Sequence, residues 1–93
     1  MLMMLRTSSP ATQLHEVVVI HEQTREEWRA GRATIELGRI IVAGSRLRPI
    51  AATESPAATF TITALDGGNR RRSFPNVKLD RDASRPPRRY VFV

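Results

Sequence analysis

Residue patterning along the chain predicts a mainly β protein, a small antiparallel barrel or sandwich of about five or six strands with one short helix over about residues 24–30. Three features lead there. Val17, Val18, Val19 and Ile20 are consecutive β-branched residues, the mark of a central strand buried on both faces. The stretch ATFTITAL, residues 58–65, alternates strictly, with Phe60, Ile62 and Ala64 on one face and Thr59, Thr61 and Thr63 on the other. Gly67, Gly68 and Asn69 then signal a hairpin.

With 93 residues the chain is expected to form one domain that buries somewhat over ~60% of its unfolded surface. A hydrophobic fraction of 41% favours a packed fold over disorder. Cysteine is absent, which excludes disulfides and thiolate metal sites and argues against a secreted scaffold. Residues 1–13 are expected to be a flexible or docking arm, and residues 14–93 a β-rich domain ending in a strand. The apolar run Met1–Leu5 stops at Arg6 and is too short for a signal peptide or a membrane span. An intracellular or virion location is therefore expected, without membrane contact.

The elements follow in order. Leu14–Glu22 reads as the central strand. Thr24 is a good helix N-cap, Glu27 completes a capping box, and Arg29 and Gly31 suit the last turn and its C′ position. Trp28 would pin that helix to the sheet. Residues 32–44 form a second strand in which Ile35 and Leu37 have the opposite parity to Ile40 and Val42, so a bulge is expected at Gly38. Gly44–Ser45 then turns into a short edge segment, Arg46–Ile50, limited by Pro49, and residues 51–58 form a loop.

The hairpin register follows from packing. A two-residue loop at Gly67–Gly68 would place Ser73 opposite Ile62. A three-residue loop ending at Asn69 places Phe74 there instead and unites Phe60, Ile62 and Phe74 on one face. The second register is the expectation. It sends Arg71 and Ser73 to the threonine face and leaves Arg70 and Arg72 at the tip, so the three arginines splay. A strand is expected at Val77–Leu79. At the end of the sequence, Tyr90 and Phe92 share one face and Val91 and Val93 the other, pairing with the chain's own sheet or with a neighbour's edge.

Charge placement carries the functional expectation. The formal charge is +6, and residues 1–69 are balanced. The excess lies in residues 70–93, where eight basic groups face only Asp80 and Asp82. All but one of the 15 basic residues are arginine, a bias that alone selects no partner.

Catalytic and metal motifs fail on inspection. The stretch HEQTR, residues 21–25, lacks the second histidine of a zinc-protease helix. His15 and His21 share a strand parity but stand roughly 20 Å apart at strand rise. Asp80–Ser84 opens like a calcium loop, yet Arg85 replaces the required glycine. Ser84–Arg89 lacks the PxxP spacing of a polyproline ligand. No glycine-rich phosphate loop or nucleophile elbow occurs. The chain is thus expected to be no enzyme, with no cofactor, metal or small-molecule substrate.

The expected function is that of a structural or interaction subunit of a larger assembly, a description that a small phage virion protein fits. Arg70, Arg71, Arg72, Arg85, Arg88 and Arg89 would meet acidic surfaces of other protein subunits, in a homo- or hetero-oligomer. Tyr90, Val91, Phe92 and Val93 would augment a partner's sheet. The alternative is a small basic β domain whose arginines bind nucleic-acid phosphates in a salt-dependent way. Aromatic residues make up only 5% of the chain, and with Trp28, Phe60 and Phe74 expected in the core, just Tyr90 and Phe92 remain for base stacking.

Overall fold

A computed structural model describes residues 12–43, 56–85 and 88–93. It has six strands and no helix among the described residues: β1 Thr12–His21, β2 Glu27–Glu36, β3 Arg39–Ala43, β4 Phe60–Leu65, β5 Arg71–Val77 and β6 Arg89–Phe92. They form one sheet of order β5-β4-β1-β2-β3-β6 in which all neighbours are antiparallel. The sheet curls into a half-barrel around a core of Leu14, Val17, Val19, Ile40, Val42, Phe60, Ile62, Tyr90 and Phe92, with smaller alanines between them. Of the flexible or docking arm expected over residues 1–13, residues 1–11 lie outside the described residues, and Thr12 and Gln13 belong to β1. The Gly44–Ser45 turn, the Arg46–Ile50 segment, most of the 51–58 loop and Pro86–Pro87 also lie outside them.

β1 is central, as its β-branched run requires, but its two faces differ. Val17 and Val19 are fully buried, whereas Val18 and Ile20 on the convex face are half-buried. Glu16, at φ 50°, is an extra residue against β2, and it switches the strand's parity between Leu14 and Val17. This bulge separates the two histidines expected on one face. His15 takes the convex face, while His21 points inward, 5% exposed, with its ring edge-on to Phe60.

The expected helix over residues 24–30 is replaced by a tight turn and the start of β2. Arg25 N–H donates to the His21 carbonyl, and His21 N–H donates to the Glu26 carbonyl, both at 2.8 Å. Thr24 does hold a downstream amide, accepting from Glu26 N–H at 3.2 Å, but as a local turn bond and not as a helix cap. The segment carries no apolar residue three or four positions from Trp28 that a helix could bury. As a strand it faces Trp28 and Ala30 inward, where they pack against the core. Packing overrode the capping signal.

The parity fault around Gly38 also has a different cause from the one expected. Leu37 (φ 51°) and Gly38 (φ 76°) form a two-residue turn between paired Glu36 and Arg39, the type I′ geometry of tight hairpins. Residues 32–44 therefore supply parts of two strands instead of one bulged strand, and Ile35 and Ile40 face each other across them. The hairpin between β4 and β5 takes the register that packing favoured, with Ile62 opposite Phe74 and Thr63 opposite Ser73. Asn69 occupies the left-handed position of its loop at φ 59°.

β6 pairs with β3 on one side. On its other side Lys78 and Val93 exchange backbone hydrogen bonds, and Asp80 N–H donates to the Val91 carbonyl. Residues 78–80, which continue β5, thus join the two ends of the sheet. Of the two alternatives for the closing strand, pairing within the chain's own sheet is the one realised.

Candidate functional site

Strand direction assembles one end of the half-barrel. β1 begins there at Thr12, opposite Ile35. The Leu37–Gly38 turn and the hairpin tip at residues 66–70 lie at the same end, because each adjacent strand is antiparallel, whereas Val93 at the end of β6 bonds to Lys78, beyond the far end of β5. Leu37 is 100% exposed and Val93 51% exposed.

Asp66 organises the hairpin tip. Its Oδ1 accepts from the N–H groups of Gly68 at 2.9 Å and Arg70 at 3.0 Å. Arg72 Nη1 stands 3.6 Å from its Oδ2. Those backbone donors, first Arg70 and then Gly68, hold the Asp66 carboxyl below its ordinary pKa, and the Arg72 charge adds to the effect. His15 Nε2–H donates to the Asp66 carbonyl at 3.2 Å, tying the tip to β1. The Arg72 guanidinium also lies 5.3 Å from the centre of the Phe74 ring.

These contacts sort the six arginines singled out in the sequence. Arg72 is held by Asp66 and Phe74. Arg85 Nη1 donates to the carbonyls of Asp82 and Ser84, closing its own turn. Arg70, Arg71, Arg88 and Arg89 are exposed and have no acidic partner among the described residues. The structure does not gather the six into one patch, since Arg70–Arg72 open β5 whereas Arg85–Arg89 lead into β6. Tyr90, Val91 and Phe92 are fully buried, and the backbone of β6 is paired on both sides.

Sequence reasoning missed Arg32. Cross-strand pairing lines up Arg71, Leu65, His15 and Arg32 on the convex face. A shallow cavity of about 370 Å³ opens there, lined by Gln13, Leu14, His15, Arg32 and Gly67. Only the β1–β2 register reveals this row, and the helix expected between those strands concealed it. Trp28, Phe60, Phe74, Tyr90 and Phe92, all the aromatics of the chain, lie in the core or against it, so none offers a stacking platform on the convex face.

Among the described residues no three histidine or acidic side chains come together as a metal-binding group, and no helix is long and apolar enough to cross a membrane. No protein-family model, curated protein or solved structure matches the chain.

Proposed function

We propose that the chain is a non-enzymatic interaction subunit of a larger intracellular or virion assembly, docking on neighbouring protein subunits through one end of its half-barrel. The observation that supports this reading is the placement of the fully exposed Leu37 and the arginine-bearing hairpin tip at one end of the half-barrel. The apolar segment MLMML precedes the strand that starts there. An apolar centre with a charged rim is the composition of a protein interface. Copies of the chain itself are included among the neighbours, which makes the reading accessible to light scattering on the purified protein. A species heavier than the 10.5 kDa monomer is expected, reduced by Leu37→Asp. A strict monomer at every concentration, shifting instead onto a nucleic-acid duplex, would overturn it.

The row Arg71, His15, Arg32 supports a second reading, a phosphate-binding surface for duplex or structured nucleic acid. Aromatic burial disfavours base stacking on single strands. Under this reading affinity for a 20-base-pair duplex falls steeply as salt rises, and Arg32→Ala weakens it.

A further inference from the structure

We propose that the outer edge of β5, from Arg70 to Pro75, is a docking site for an extended acidic segment of a partner protein, which adds to the sheet as a seventh strand. The inference rests on the interaction-subunit reading and names the chemistry of the partner.

Among the described residues the edge is open. There β5 pairs only with β4 and stands first in the sheet order, whereas the opposite edge strand, β6, is covered by residues 78–80. Asp66 N–H donates to the Arg70 carbonyl at 3.0 Å. Antiparallel alternation from that bond turns the backbone groups of Arg72 and Phe74 towards β4 and those of Arg71 and Ser73 outward. Both residues are exposed, and no backbone hydrogen bond is made by their outward groups among the described residues. An unpaired row of donors and acceptors is a template for another strand.

The edge is also bounded. Pro75 has no N–H to offer. Asn76 follows at φ 59°, and its N–H is taken by Glu22 Oε2 at 2.8 Å. Pairing can therefore extend only from the hairpin tip to Pro75, about five residues or ~17 Å.

Charge selects the occupant. Arg71 projects on the convex face and Arg70 from the tip, neither with an acidic partner among the described residues. A strand laid along β5 sits ~4.8 Å away and presents side chains directly opposite these positions. Carboxylates there pair with guanidinium groups bidentately. Nucleic-acid phosphate could satisfy the arginines and the outward N–H groups, but a phosphodiester has no donor for the outward carbonyls of Arg71 and Ser73. A peptide strand satisfies both.

The test uses the full chain and a nine-residue peptide of alternating glutamate and valine. Amide hydrogen exchange by NMR reads the edge directly. The Arg71 and Ser73 amides are expected to exchange freely in the free protein and to slow at least tenfold with peptide. The all-N-methyl peptide, with the same carboxylates but no backbone donors, should bind at least tenfold more weakly. Ser73→Pro removes an outward donor and keeps the ladder to β4, so the folded variant should lose binding to the same degree. Equal binding of the N-methylated peptide, or no protection at Arg71 and Ser73, overturns the proposal. Displacement of the peptide by a duplex without such protection overturns it in favour of phosphate binding. If the chain assembles in light scattering yet ignores the peptide, the edge proposal alone falls. If it does neither, the interaction-subunit reading falls with it.

Discussion

Lys78 and Val93 exchange two backbone hydrogen bonds, of 2.8 and 2.9 Å, and so tie the continuation of β5 to the far edge of β6. Beside this link the hydroxyl of Ser84 accepts from Val91 N–H at 2.9 Å and donates to the Asp80 carbonyl at 2.7 Å. Ser84 is 4% exposed and Val91 fully buried, so water cannot replace the hydroxyl. Ser84→Ala should lower stability by about 1–3 kcal/mol, the cost of a buried donor left without an acceptor. Urea unfolding would show a lower midpoint at an unchanged slope. An unchanged midpoint would mean that residues 78–84 lie outside the cooperative unit.

Glu22 holds three separate segments together. Its carboxylate accepts from Thr59 Oγ1 at 2.6 Å, Thr61 Oγ1 at 2.7 Å and Asn76 N–H at 2.8 Å. The Thr59 hydroxyl above all, then Thr61 and Asn76, hold its pKa below the ordinary 4.5. Asp66 is likewise lowered from 3.8. A depressed folded pKa means that the unfolded chain binds more protons on acidification, so stability falls as pH drops. Stability should be level near neutrality and decline below about pH 4.5, as the pH passes through the folded values. Glu22→Gln should flatten that decline in thermal melts at pH 3–7. A decline as steep as in the parent would place the linkage elsewhere.

The strands and the hairpin register were legible because strict alternation leaves one arrangement that buries Phe60, Ile62 and Phe74 together. The inward pair Tyr90 and Phe92 was legible for the same reason. The 24–30 segment was misread because its local polar signals are those of a helix start, while its single tryptophan says little about period. The bulge at Glu16 left no trace in the sequence, since glutamate is not a residue that announces a positive φ. The row from Arg71 to Arg32 was hidden as a consequence, because it depends on the register between β1 and β2, which a helix was expected to separate.

Gly31 offers a clean measure of backbone strain in that pairing. It sits at φ 88° opposite Val17, at the β1–β2 irregularity, and an added Cβ would meet nothing within 4 Å. Gly31→Ala should therefore cost about 1–2 kcal/mol from backbone conformation alone. Gly67 has equally open space and no positive φ, so Gly67→Ala should lie within about 0.5 kcal/mol of the parent. Similar losses at both sites by chemical denaturation would contradict the assigned backbone conformation.

Leu37 combines two unfavourable features at one position. It is fully exposed and sits at φ 51°, the first residue of a type I′ turn that asparagine or aspartate fills better. A branched apolar residue gains nothing there in an isolated subunit. Leu37→Asn should raise the monomer's stability by about 0.5–1 kcal/mol, through relief of the left-handed conformation. If the turn is a contact point, the same change should weaken self-association in light scattering, since it removes the apolar group while leaving the hairpin intact. Stability and assembly would then move in opposite directions. A variant that gains stability and assembles as well as the parent would remove Leu37 from the docking end and leave that role to the arginine tip.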